Sequence, residues 1–117
     1  MKVISHGSLE EELKKVLSNP HTSNNLEKAV QIAEEIIKID KTSNYANYAM
    51  GLHELALANR TAPQVDYDRP VEAFKKIIKM DPNFIEPYLM LAKIYRETDR
   101  NLEYKLLLKA NKQFPDH

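Results

Sequence analysis

The stretch Ala29-Val30-Gln31-Ile32-Ala33-Glu34-Glu35-Ile36-Ile37-Lys38-Ile39-Asp40 occurs a second time, in altered form, as Pro70-Val71-Glu72-Ala73-Phe74-Lys75-Lys76-Ile77-Ile78-Lys79-Met80-Asp81. The two copies lie 41 residues apart and close on the similar strings Ile-Ile-Lys-Ile-Asp and Ile-Ile-Lys-Met-Asp. Apolar residues recur in both with the spacing of an α-helix. Helical units repeated at a fixed period indicate a stack in which each unit buries its apolar face on its neighbour.

The same helical spacing continues outward from these copies through the chain, without a clear alternation of period two. It predicts six helices, paired into three hairpins. Ser8 and Glu11 have the spacing of a capping box and predict that the first helix begins near Ser8. Asp68 is positioned to cap the fourth helix, and Pro70 falls in its first turn, where a missing amide costs little.

Composition argues against several kinds of functional site. The 17 basic and 17 acidic residues cancel, so the net charge does not favour binding to nucleic acid or to a membrane. Cysteine is absent and there are two glycines, which excludes thiolate metal sites and glycine-rich phosphate loops. No catalytic constellation stands out, so we predict a protein that is not an enzyme and has no cofactor. The four histidines lack metal-ligand spacing, so no metal site is predicted: His6, His21, His53 and His117.

The chain also lacks the marks of export or membrane insertion. Its first residues do not form the sustained apolar region of a signal peptide. No stretch approaches the roughly 20 apolar residues that span a bilayer. These observations predict a cytoplasmic protein.

Aromatic, small and proline residues add a resemblance to a known family. Tyr88, Leu91-Ala92 and Tyr95 follow one another at fixed spacing in the fifth helix, while Phe74 precedes Pro82 by eight positions. This pattern resembles the tetratricopeptide repeat, a helix-turn-helix unit of about 34 residues that ends in proline. The resemblance implies an all-α fold, a right-handed superhelix of three antiparallel helix hairpins known as an α-solenoid.

The repeats follow from this resemblance. Residues 1–7 would be an N-terminal extension, and residues 8–117 a single domain with repeats at about 8–41, 42–82 and 83–117. The middle repeat is about seven residues longer than the family unit, which predicts an inserted loop near residues 58–66.

Individual positions depart from the family pattern. Pro70 replaces the usual alanine at the helix crossing, and Lys41 stands where the first repeat should have proline. Glu54 occupies the tyrosine position of the middle repeat, whereas Met50-Gly51 keeps its Leu-Gly position.

In this family the first helix of each hairpin lines a concave face, and that geometry implies a groove for a peptide. Carrying over the groove positions gives eight candidate binding residues: Tyr45, Tyr48, Leu52, Leu55, Leu89, Met90, Lys93 and Arg96. Tyrosines would supply a floor of large contact area, and the two cations would meet carboxylates. The alternative is that Tyr45 and Tyr48 fill the contacts between repeats.

The carboxylate clamp of chaperone-binding family members is missing. Ala49 stands at an asparagine position of that clamp, and Glu86 and Met90 stand at its lysine and arginine positions. The resemblance therefore implies a protein or peptide partner other than the acidic tails of the major heat-shock chaperones.

A second hypothesis assigns the function to the repeat ends. Apolar residues of the last helix cannot all face inward on one stripe: Leu106, Leu107, Ala110 and Phe114. Surface left uncovered there would allow homo-oligomers through the C-terminal repeat, or assembly into a larger array. The inserted loop is a third candidate surface, with a neutral insertion as its alternative.

Overall fold

Six α-helices make up most of the chain that the structure, a computed structural model, describes: residues 6–18, 23–61 and 63–115. No strand occurs within these ranges, which confirms the all-α class. The repeated phrase forms most of the second and fourth helices. The helices are α1 (His6–Leu17), α2 (Ser23–Ile39), α3 (Asn44–Asn59), α4 (Asp68–Met80), α5 (Glu86–Thr98) and α6 (Arg100–Gln113).

The helices pack in the order in which they follow along the chain. Each of them contacts the next one, and α1 also contacts α3. The molecule measures 52 × 36 × 23 Å along its principal axes, so the array is elongated. Burial is therefore shared mainly between sequence neighbours, as expected for stacked helical hairpins.

Two apolar cores lie on either side of α3. The first joins α1, α2 and α3, and its buried members are Leu13, Ala29, Ile32, Ala33, Ile36, Ala46 and Ala49. The second joins α3, α4, α5 and the α4–α5 turn, and its buried members are Tyr48, Phe74, Ile77, Phe84, Leu91, Ile94 and Tyr95. Because α3 contributes to both, it is the central helix of the stack.

The two copies of the repeated phrase are buried in the same register. Ala33 and Phe74 occupy equivalent positions and are both 0% exposed. Ile36 and Ile77, three residues later, are also buried, at 0% and 1%. The phrase thus marks the packed face of α2 and of α4.

Two helix starts differ from the sequence prediction. Helix α1 begins at His6, so Ser8 lies inside the helix and not at its cap. Helix α4 has Tyr67 at its N-cap, and the Asp66 Oδ1 accepts from the backbone N–H of Asp68 at 2.9 Å. Asp68 is itself the first residue of α4, so its side chain is not at the N-cap, and Tyr67 before it packs against the second core. Pro70 lies in the first turn, as predicted.

The extra length of the middle repeat is partly helical. Helix α3 has 16 residues against 13 in α5, and it ends at Asn59. The connection to α4 therefore begins at Arg60, two residues after the predicted loop start. Thr61 Oγ1 donates to the Ala58 carbonyl at 2.7 Å and closes the end of the helix. Of the predicted N-terminal extension, residues 1–5 lie outside the described part of the chain, and the rest belongs to α1.

Candidate binding surface

The eight predicted groove residues lie on α3 and α5. Their exposure is very uneven. Tyr48 is buried, while Tyr45, Leu52, Leu55 and Met90 are half-buried. The exposed members are Leu89, Lys93 and Arg96.

Tyr48 belongs to the second core. It is 9% exposed, and its ring centroid lies 5.9 Å from that of Phe74 and 5.7 Å from that of Phe84. Burial raises the pKa of its hydroxyl, and the charge of Glu86 raises that pKa further. The side chain therefore offers little area to a ligand, and its main contacts are with α4 and the α4–α5 turn.

Tyr45 links three parts of the fold. Its ring centroid lies 4.8 Å from that of Phe84, and the Lys14 Nζ lies 4.9 Å from the Tyr45 centroid, in cation–π range. Lys14 also pairs with Glu11 at 3.6 Å. These contacts match the packing role, one of the two roles that the sequence leaves open for the tyrosines.

Leu52 and Leu55 line a small apolar pit of about 180 Å³ where the ends of α1, α2 and α3 meet. The apolar wall is completed by Val16, Leu17, Leu26 and Ala56, with Asn25 and Asn59 as the polar members. Of these, Val16, Leu17, Asn25 and Leu26 come from α1 and α2, and the sequence gives no sign of the pit. Their position in the last turn of α1 and the first turn of α2 is the signal that could have revealed it.

The two predicted cations of α5 differ in their environment. Arg96 Nε donates to Glu103 Oε2 of α6 at 2.8 Å, and this hydrogen bond raises the pKa of the guanidinium. Glu103 is 8% exposed, so Arg96 covers a buried carboxylate. Lys93 is exposed and makes no ion pair with any residue that the structure describes. Lys93 is therefore the cation that a ligand carboxylate reaches without displacing an internal partner.

Apolar residues on the outer side of α6 form a second surface, the α6 stripe (Tyr104, Leu107 and Leu108). Their exposures are 66%, 38% and 46%. Within the described residues, the principal helix contact of α6 is with α5. The uncovered apolar surface that the sequence predicts on the last helix therefore lies at the α6 stripe.

The described residues contain neither a metal-ligand cluster nor a membrane-spanning helix. No three His, Cys, Asp or Glu side chains cluster there as ligands would. His53 lies on α3 and His6 begins α1, whereas His21 and His117 lie outside the described ranges. Within the same ranges, none of the helices combines the length and apolarity that a bilayer span requires.

No protein-family model, no curated protein and no solved structure matches this chain. The pit and the α6 stripe are therefore the observations from which a function can be inferred.

Proposed function

We propose that the protein is a non-catalytic interaction module with the architecture of a tetratricopeptide-like solenoid. The concave side would be lined by α1, α3 and α5. Sequential packing of the helices and the matched burial of the repeated phrase support this architecture. Gly51 supports it as well, because a Cβ there would lie 2.7 Å from the Phe74 ring, and the resemblance expects glycine at that crossing.

The proposed ligand is an extended or helical peptide segment of a partner protein. The observation that carries the proposal is the apolar pit, whose volume of about 180 Å³ is large enough for one aliphatic side chain and whose lining includes the predicted groove residues Leu52 and Leu55. Half-buried Met90 and exposed Leu89 would extend the contact along α5. Lys93 would pair with an acidic residue of the peptide. A cytoplasmic location stays a prediction from the sequence.

Substitution in the pit tests this proposal. We expect Leu55→Glu to abolish capture of partner proteins from a native lysate, because a carboxylate in the pit excludes an apolar anchor. Leu57→Glu is the matched control, since Leu57 lies on the same helix outside the pit and is 39% exposed. Circular dichroism verifies that both variants keep the wild-type helix content. Capture of the same proteins by wild type and Leu55→Glu would contradict the proposal.

The α6 stripe supports a second candidate function, assembly through the end of the helix stack. Phe74 of α4 is 0% exposed because α3 and α5 cover it, whereas Leu107 of α6 is 38% exposed. Under this hypothesis we expect sedimentation velocity to show self-association that rises with concentration and disappears in Leu107→Lys. The exposed Leu57→Lys substitution is the control. A chain that stays monomeric throughout disfavours homo-oligomers and leaves the pit as the binding site.

A further inference from the structure

A groove runs between α4 and α6 and shares no lining residue with the pit. Both helices pack on α5, and they do not pack closely on each other. The groove encloses about 600 Å³ near the C-terminal ends of α4 and α6, and about 610 Å³ near their N-terminal ends. Lys75 and Tyr95 line both halves, so the two volumes are parts of one groove, named here the α4–α6 groove.

The half near the C-terminal ends has an apolar floor and basic walls. Its cations are Lys75, Lys79 and Lys109, all of them exposed and without an ion pair to any described residue. None of the described residues that line this half carries a carboxylate. The floor is formed by Ile78, Pro82, Tyr88, Leu91, Tyr95 and Leu106.

The half near the N-terminal ends has the opposite character. Its lining includes Asp66, Asp68 and Glu72 together with the apolar Val71 and Leu102. The α4–α6 groove therefore has an apolar floor at its basic end and a mixed polar and apolar lining at its other end, and its charge changes from predominantly acidic to basic along its length. Such a gradient favours one direction of a bound chain, because like charges placed opposite each other are destabilising.

The basic end of the groove is held by contacts between the α4–α5 turn and the end of α6. Gln113 Nε2 donates to Asn83 Oδ1 at 2.6 Å, and the Tyr88 and Phe114 rings meet edge to face at 5.4 Å. The Tyr88 hydroxyl donates to the Pro82 carbonyl at 3.1 Å. These contacts fix the groove wall before any ligand arrives, which lowers the entropy cost of binding.

We propose that the α4–α6 groove binds an amphipathic peptide segment of a partner protein, with carboxylates clustered at one end. Apolar side chains of the segment would lie on the groove floor, and its acidic end would meet Lys75, Lys79 and Lys109. This site is separate from the pit, so the inference goes beyond the proposed function and does not depend on it.

The change from acidic to basic along the groove argues against a phosphate polyanion as its ligand. A nucleic acid or an anionic membrane carries phosphate charge along its whole length and would meet Asp66, Asp68 and Glu72 at the other end. A peptide can place carboxylates at one end and apolar or basic residues at the other. A peptide therefore matches the whole groove, whereas a phosphate polyanion matches half of it.

Peptide selection tests the proposal with a defined probe. Helix α4 has 13 residues and spans about 20 Å, so a displayed library of random peptides about 16 residues long covers helical and extended segments. We expect selection on the wild-type chain to enrich peptides with apolar residues and carboxylates toward one end. Fluorescence anisotropy then measures their affinity. The double substitution Lys79→Glu and Lys109→Glu should weaken it at least about tenfold.

A matched variant and two competing ligands sharpen the test. Lys28→Glu with Lys41→Glu makes the same change of net charge at exposed positions outside the groove, and should leave the affinity within about twofold of wild type. Equal weakening by both variants overturns the proposal, and so does a library that enriches no lysine-dependent peptide. Tighter binding of oligothymidylate or phosphatidylserine vesicles than of the peptides also overturns it. A dimer of the chain in sedimentation that the selected peptides do not dissociate would also overturn the proposal, because it would assign the groove to a second copy.

Retention of peptide binding in Leu55→Glu separates this inference from the proposed function. Loss of pit binding leaves the groove intact, and loss of groove binding leaves the pit intact.

Discussion

Helices α4 and α6 hold equivalent places in the predicted repeats, yet one is enclosed and the other is open. Phe74 of α4 is fully buried, whereas Leu107, 33 positions later, is 38% exposed. Val71 is half-buried, and its counterpart Tyr104 is 66% exposed. The difference arises because α4 packs between α3 and α5, while the main helix contact of α6 is with α5. Burial of an apolar side chain in this array therefore depends on the helices that pack beside it.

The crossing position shows the same contrast in chemical terms. Pro70 of α4 and Glu103 of α6 are both buried near the helix start. A buried proline side chain needs no hydrogen-bond partner, but a buried carboxylate does. Arg96 of α5 is that partner, because its Nε donates to the Glu103 Oε2 at 2.8 Å. A charged residue is therefore accommodated at this position in the open helix.

Truncation of the equivalent apolar residues should give the largest difference between the two helices. We expect Phe74→Ala to lower the free energy of unfolding by about 4 kcal/mol, because it leaves a cavity in the second core. Leu107→Ala should cost about 0.5 kcal/mol, since the side chain is already partly in water. Urea denaturation of the two variants measures both values. Equal losses would show that α6 is covered in solution.

Gly51 of α3 and Ala92 of α5 are small residues at equivalent positions, and they provide a second comparison. We expect Gly51→Ala to cost about 2 kcal/mol, because the new Cβ would meet the buried Phe74 ring and overpack the core. The gain in helix propensity, about 1 kcal/mol, offsets part of that clash. The position 41 residues later is already alanine, Ala92. Ala92→Gly should therefore cost about 1 kcal/mol through propensity alone.

A double substitution identifies the clash as the cause. Gly51→Ala in a Phe74→Leu background should lose less stability than in the wild-type chain, because the smaller side chain makes room for the Cβ. Additive losses would assign the effect of Gly51→Ala to some other contact.

The buried carboxylate of α6 should have a smaller effect. We expect Glu103→Gln to destabilise the chain by about 1 kcal/mol, since an amide keeps the shape but loses the charge-assisted hydrogen bond to Arg96. Thermal unfolding monitored by circular dichroism measures the change. A higher salt concentration should reduce the difference in stability between Glu103→Gln and wild type, because Arg96 is largely exposed and salt screens its charge. A gap that does not depend on salt would contradict this account of the pair.

The smallest effect at neutral pH is expected at Tyr48. Burial raises the pKa of its hydroxyl in the folded chain above the ordinary value of about 10. The folded state thus keeps a proton that the unfolded state loses, and stability present below pH 10 falls as the pH rises above it. Tyr48→Phe should reduce this alkaline decline while changing stability little at pH 7. Parallel stability curves for the two proteins above pH 10 would contradict the prediction.

Much of the fold could be predicted from the sequence because helical periodicity is a local property. The repeated phrase predicts α2 and α4, and Pro70 lies in the first turn of α4 as expected. The starts of α1 and α4 were predicted less well. At α4 the N-cap residue is Tyr67, which packs on the second core, and a capping pattern in the sequence does not report such a tertiary contact.

The candidate surfaces could be predicted less completely. Leu52 and Leu55 lie at the pit, where residues from α1 and α2 complete the wall. Arg96 lies on the predicted helix, but its guanidinium is hydrogen-bonded to Glu103 of the next helix. The α4–α6 groove depends on two helices that share a neighbour, and its charge gradient has no counterpart in the zero net charge of the chain.

By itself, the sequence determined the helices and the face that each copy of the repeated phrase buries. These properties follow from residue spacing within one helix, which a single stretch of chain carries. The tertiary structure decided that Tyr48 is core, that Arg96 is paired, and that a pit and a groove open where they do. Those outcomes depend on residues far apart in the chain, because each side chain's exposure is set by the helices that pack beside it.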